Sequence, residues 1–213
     1  MISHEHKVIF VHVPKTGGQS IEQMFLDDLG LSWDERAHLS LRPNDDPAIG
    51  PERLAHLYAR EYVEKGHVTQ DQWDSYLTFA VVRNPYDRVI SEYFYRGKTM
   101  PTWKFWRRPR LDGFMAQAAQ EDFSDGARHI VPQANYVCDR DGNVIVDHII
   151  RFENMGAEVE ALLADVLKTP RSLPHRNKTQ TGNTGQKKKA RKAFEPLIAE
   201  QHAIDFDLFG YTR

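Results

Sequence analysis

The chain has 213 residues, of which 40% are hydrophobic, 11% aromatic and 27% charged, with a formal net charge of -2. That is enough apolar material for a real core, without the ~20-residue apolar run of a membrane span, and the near-neutral balance excludes a chain that binds polyanions with its whole surface. A lone Cys138 excludes an internal disulfide, and the first residues lack a signal-peptide pattern, so one cytoplasmic domain over residues 1–213 is expected.

Taken in chain order, residues 7–13 predict a buried strand, followed by a glycine-containing turn at 16–18. A helix follows with Ile21, Met24, Phe25 and Leu29 at helical spacing, closed by Gly30. Pro51 predicts the opening of a second helix, with Leu54, Leu57, Tyr58 and Tyr62 on one face and Gly66 as its stop. Residues 77–82 form another apolar strand. Asn84 and Pro85 then supply the N-cap and first-turn proline of a helix that buries Val89, Ile90, Tyr93 and Phe94.

Residues 112–120 are expected to form a short helix, and 136–138 with 144–146 a hairpin around Asp139-Arg140-Asp141-Gly142. Residues 148–152 read as a strand, 154–167 as a helix and 171–186 as a loop, and Pro196 as the first residue of a last helix running towards Phe209. The strand–helix alternation predicts an α/β sandwich around a mostly parallel central sheet.

Charge is unevenly spread. Six bases and no acid lie between Glu92 and Asp112, and nine bases and no acid between Asp165 and Glu195. Two such runs in a near-neutral protein predict a side that faces anions.

The segment from Val8 to Ser20 ends a buried strand in a Lys-Thr-Gly-Gly turn that opens a helix. Successive backbone N–H groups at a helix N-terminus form an anion hole, to which the helix dipole adds. Gly17 and Gly18 let the backbone approach the anion, Lys15 adds a point charge, and Thr16, Gln19 and Ser20 add donors. The nucleoside-triphosphate loop, G-x-x-x-x-G-K-S/T, places its lysine after the last glycine; here Lys15 precedes both.

Arg83 leaves the C-terminal end of the 77–82 strand, and Ser91 follows inside the next helix. Strand C-terminal ends and helix N-termini line the ligand crevice of a parallel sheet. Arg83 would thus enter the crevice of Lys15 and hold a second phosphate bidentately, or else pair with Asp87 at the helix start.

Together these residues resemble the sulfotransferases that use 3′-phosphoadenosine 5′-phosphosulfate (PAPS), specifically the carbohydrate-type group, sulfotransferase family 2, with the heparan sulfate 2-O-sulfotransferases and their bacterial-type relatives. Pro14-Lys-Thr-Gly-Gly-Gln-Ser20 is similar to that family's 5′-phosphosulfate loop, with Gln19 where Thr or Ser is usual. The stretch from Val82 to Tyr93 is similar to its 3′-phosphate element, in which the Arg and the Ser contact the phosphate. Weaker echoes reach residues 147–153, 173–179 and 205–211, so the resemblance spans nearly the whole chain.

The resemblance implies a P-loop NTPase-like three-layer fold and metal-free, in-line transfer of a sulfuryl group from PAPS to an acceptor hydroxyl or amine, leaving adenosine 3′,5′-bisphosphate. Lys15 would neutralise charge on the leaving oxygen, residues 17–20 would hold the 5′-phosphate, and Arg83 and Ser91 the 3′-phosphate.

An acceptor hydroxyl needs a base, and a neutral imidazole suits the task near pH 7. Of ten histidines, His56 and His38 are the candidates, and the resemblance favours His56 because relatives often carry a catalytic His just upstream of the Arg83 strand. His12 reads as a packed residue, His4 and His6 as part of a polar tail, and His129, His148, His175 and His202 have no mechanical context in the sequence.

Trp103, Phe105 and Trp106 lie among the bases of the first basic run and would stack on sugar rings. The expected acceptor is a glycan or other hydroxylated small molecule, anionic ones included; no nucleic-acid partner is expected. A non-catalytic adenosine-phosphate-binding relative and an atypical P-loop nucleotide kinase are the alternatives.

Overall fold

The computed structural model describes residues 1–99, 113, 123–168, 172–173 and 184–213. Most of the expected 112–120 helix, the 103–110 aromatic-basic stretch and the middle of the second basic run, with His175, lie outside the described residues.

Four strands form one sheet in the order β1 (Ile2–Ser3), β2 (Val8–Val11), β3 (Leu77–Val82), β4 (His148–Arg151). β1 pairs antiparallel with β2, while β2, β3 and β4 run parallel, with Phe10 opposite Phe79 and Val81 opposite Ile150. All four β2 residues are buried because both faces of the sheet are covered. Ile9, Val11, Ala80 and Val82 pack on one side against Tyr58, Tyr62 and Tyr136. Val8, Phe10, Phe79 and Val81 pack on the other against Ile21, Phe25 and Leu163. A strand buried on both faces reads as a continuous apolar run, as Val8–Val11 does.

The helices are α1 (Gly18–Asp28), α2 (Glu61–Glu64), α3 (Gln70–Ser75), α4 (Pro85–Thr99), α5 (Asp125–Arg128), α6 (Ala134–Val137), α7 (Met155–Leu162), α8 (Thr184–Gln201) and α9 (Ala203–Phe209). α1 and α4 start where expected. Gly30 turns left-handed (φ 69) just past α1, and the Asn84 side chain accepts the Tyr86 N–H at 3.1 Å at the head of α4. A third apolar cluster joins Tyr86, Ile90 and Phe94 of α4 to Phe194 and Ile198 of α8 and Phe206 of α9. No helix among the described residues is long and apolar enough to cross a membrane.

Three expectations are corrected. The helix expected from Pro51 is instead a single 3-10 turn, Leu54–His56, followed by an extended Leu57 and the short α2. The break is made by Glu61: its carboxylate accepts the Tyr58 N–H at 2.8 Å and is held by Arg128, so the chain restarts as a helix there. Pro196 does not open the last helix but lies inside α8, which begins at Thr184 within the segment read as loop. Packing of Phe194 and Ile198 on α4 carries the helix past the missing proline N–H. The hairpin shrinks to one bridge, Cys138 with Val144, because Tyr136 and Val137 belong to α6, where the Tyr136 hydroxyl donates to the Arg128 carbonyl at 2.9 Å.

Candidate active site

β2 ends and the chain enters a loop fixed from within and from behind. Thr16 donates its hydroxyl to the Val13 carbonyl at 2.7 Å, so this side chain closes the turn and leaves only its main-chain N–H to offer an anion. From behind, the fully buried Arg88 donates to the Pro14 carbonyl at 3.1 Å, to Val131 at 2.9 Å and to His129 at 3.0 Å. Arg88 is thus a structural cation that ties the loop to the segment after α5.

The loop residues themselves are in conformations that aim main chain rather than side chain. Lys15 (φ 71) and Gly17 (φ 84) are left-handed. Gly17 starts α1 without a side-chain cap, and no acid sits in the first turn. An eleven-residue helix with an uncapped N-terminus and no competing carboxylate favours an anion there. Gln19 is exposed and Ser20 is buried on the first turn of α1, the Ser20 N–H donating to the Gly17 carbonyl at 3.0 Å.

The structure brings Arg83 and Lys15 together. Arg83 Nη1 donates to the Lys15 carbonyl at 3.3 Å and its guanidinium stacks over Phe152, 4.4 Å from the ring centroid. Asp87, the alternative partner, has its carboxylate 3.5 Å from Arg191 instead. Lys15 Nζ lies 3.7 Å above the Tyr95 ring of α4, a cation–π contact.

Burial lowers the Lys15 ammonium below its ordinary value; Glu92 opposes this and the nearby Arg83 charge adds to it. Burial likewise lowers Arg83. Two half-buried cations side by side repel each other, and a bound anion relieves that cost. The donor set therefore fits a phosphate- or sulfate-bearing ligand. Ser91 lies partly buried on α4, on the same helix as Tyr95.

His56 stands in the second half of the site. Its ring is buried, with 6% of the residue exposed, and Nδ1 lies 2.5 Å from Asp125 Oδ1. Donation of Nδ1–H to the carboxylate leaves the Nε2 lone pair as the basic one. Burial pushes the His56 imidazole down to about 4, against the opposing pull of Asp125. Burial alone would raise the Asp125 carboxyl, but His56, His129 and Arg53 outweigh it and hold the group well below the usual carboxylate range. At neutral pH the pair is a carboxylate and a neutral imidazole.

His12 joins the two halves. Its Nδ1 lies 2.6 Å from Glu22 of α1, and its ring meets the His56 ring edge-on at 5.2 Å between centroids. A Cβ added to Gly18 would come 2.4 Å from the His12 ring, so His12 rests directly on the backbone of the Lys15–Gly18 loop. It is a packed residue, as the sequence predicts, but one wedged between the loop and His56. His38, the rival base, is exposed on a 3-10 segment, Trp33–Leu39.

Sequence reasoning missed Asp125 and the place of His129. His129 meets His56 edge-on at 4.8 Å, with Nε2 3.5 Å from Asp125 and Nδ1 3.0 Å from Glu92. The only local signal was an acid and a histidine four residues apart at the two ends of one helical turn.

The fold is a mixed α/β one, with an uncapped strand–helix loop near Lys15 and Arg83 and a histidine–carboxylate pair beside it. The model of the Sulfotransferase family matches residues 1–212, and the chain belongs to that family. No curated protein and no solved structure matches it. Family membership makes the chain a transferase acting on sulfuryl groups.

Proposed function

We propose that the protein moves the sulfuryl group of PAPS to a hydroxyl, or second an amine, of a carbohydrate or other hydroxylated acceptor on a P-loop-like scaffold. The observation that carries this reading is the meeting of Arg83 with Lys15 at the loop, one side chain away from the His56–Asp125 dyad. The donor supplies an activated sulfuryl group and departs as adenosine 3′,5′-bisphosphate.

The chain's own residues divide the remaining work. The first-turn amides of α1, with Gln19 and Ser20, hold the 5′-phosphate, and Arg83 and Ser91 hold the 3′-phosphate. Lys15, released from the Tyr95 face, offers its ammonium to the negative charge that grows on the leaving oxygen. His56 takes the acceptor proton on Nε2, and Asp125 holds the ring orientation and balances the imidazolium that results. These roles require no metal.

Calorimetry with adenosine 3′,5′-bisphosphate, with ATP and Mg²⁺ as the control, tests the reading. Binding of the bisphosphate much tighter than of ATP supports it, and sulfuryl transfer should persist in EDTA. Preference for ATP with Mg²⁺-dependent turnover would instead make the chain a nucleotide kinase. Tight bisphosphate binding with no transfer to any acceptor would make it a non-catalytic binder.

A further inference from the structure

We infer that His56, Asp125 and His129 also form a binding site for a divalent transition-metal ion, zinc above all, and that filling this site switches the enzyme off. The switch rests on His56 being the base; the metal site does not.

One ligand atom from each of the three side chains lies within 4.8 Å of the other two. His56 Nδ1 and His129 Nε2 approach the two oxygens of the same carboxylate, at 2.5 Å and 3.5 Å. Two imidazoles and one carboxylate are a donor set that zinc takes readily, with a fourth position left for water.

A second observation points to a ligand at this place. His129 Nε2 is buried and has no hydrogen-bond partner. The ring lies between two carboxylates, Nδ1 3.0 Å from Glu92 and Nε2 3.5 Å from Asp125, so with Nδ1–H given to Glu92 the Nε2 lone pair is free to join Asp125 on a shared cation. Glu92, whose side chain is only 2% exposed, stands behind His129 with Oε2 3.0 Å from Nδ1, while its Oε1 is fixed by Arg96 at 2.7 Å. A carboxylate behind the non-ligating nitrogen is how metal-binding histidines are oriented. His6 makes a contrast: Ser3 at 2.6 Å and Asp28 at 2.9 Å occupy both of its ring nitrogens.

The consequence for catalysis follows from proton count. A metal on His56 Nδ1 needs the lone pair there, so the single proton of the neutral ring moves to Nε2. The nitrogen meant to accept the acceptor's proton then carries one already. No proton leaves the protein, yet the base is lost. The metal-bound and catalytically competent states exclude each other.

Zinc calorimetry on the full chain, stripped with EDTA and dialysed, is the test, with Co²⁺ absorption as a reporter of four-coordinate binding. One ion per chain is expected. His129→Gln should weaken zinc by at least ~10-fold, and Glu92→Gln, which spares all three ligands, by roughly 10–100-fold. His4→Ala, in the exposed turn between β1 and β2, should change nothing. Adenosine 3′,5′-bisphosphate affinity reports whether each variant is folded.

Zinc affinity that survives both the His129 and the Glu92 change, or that follows His4, overturns the site. In turnover assays zinc should lower kcat at saturating donor, with recovery on adding EDTA. Zinc that binds through His129 but leaves turnover unchanged, or raises it, overturns the switch. If the chain transfers no sulfuryl group at all, the calorimetric arm still decides the metal site, and only the proposed reaction fails.

Discussion

His56 and Asp125, 69 positions apart in the chain, meet at 2.5 Å, and the carboxylate fixes the orientation of a buried imidazole. Without the carboxylate the ring is free to present either nitrogen, and burial alone disfavours the charge it must carry during the reaction.

Removing either member should therefore be costly to the chemistry and cheap to cofactor binding. His56→Ala should lower kcat by roughly 10²–10⁴ with adenosine 3′,5′-bisphosphate affinity nearly intact. Asp125→Asn should lower kcat by at least ~10², because an amide does not fix the tautomer. Steady-state kinetics beside calorimetry checks both. Full activity in His56→Ala with an inactive His38→Ala would move the base to His38.

The depressed His56 value sets the pH dependence. The sequence alone places an imidazole base near ~6.5, whereas burial brings it to about 4. With His56 as the proposed base the neutral ring is the active form, so kcat/KM should rise with pH through a limb near 4 and stay flat from pH 6 to 8, measured in EDTA. A limb near 6.5 would mean that the ring is solvated in the working enzyme. For stability the sign is the same: the unfolded chain binds a proton at His56 that the folded one rejects. The stabilisation is complete above pH 6.5 and is lost as pH falls towards 4. Melting temperatures of the wild type and His56→Ala should converge over that window.

Arg83 should discriminate between ligands. Arg83→Ala should weaken adenosine 3′,5′-bisphosphate by about 2–4 kcal/mol and adenosine 5′-phosphate far less, since only the first carries the 3′-phosphate. Parallel calorimetry decides. Equal losses would make Arg83 a prop for the Lys15 carbonyl alone.

The role proposed for Lys15 lies in the transition state. Lys15→Ala should lower kcat at least ~100-fold with a smaller loss of donor affinity. A variant that binds weakly yet turns over normally at saturation would reduce Lys15 to anion binding.

Arg88 holds the two halves of the site together without facing the ligand. Arg88→Ala leaves the buried carbonyls of Pro14 and Val131 and the partly buried one of His129 without this donor and should destabilise the fold by at least ~3 kcal/mol. Arg88→Lys should recover little, because one ammonium does not span three divergent acceptors. Chemical denaturation checks both variants.

The sequence by itself determined what short stretches can encode. The apolar run of β2, the glycine turn with Lys15, the Asn84 cap and the arginine at the end of β3 are each settled within a few residues, and each lies where its local chemistry requires. Only the tertiary structure decided the rest. The helix expected from Pro51 was broken by Glu61 and Arg128, whose pairing joins distant segments. Pro196 stayed inside α8 because Phe194 and Ile198 had α4 to pack on. Asp125 and His129 converge on His56 from α5 and from its C-terminal end, and Glu92 of α4 stands behind His129. An imidazole's basicity and orientation depend on which charges the fold brings within a few ångströms, and spacing along the chain carries no record of that distance.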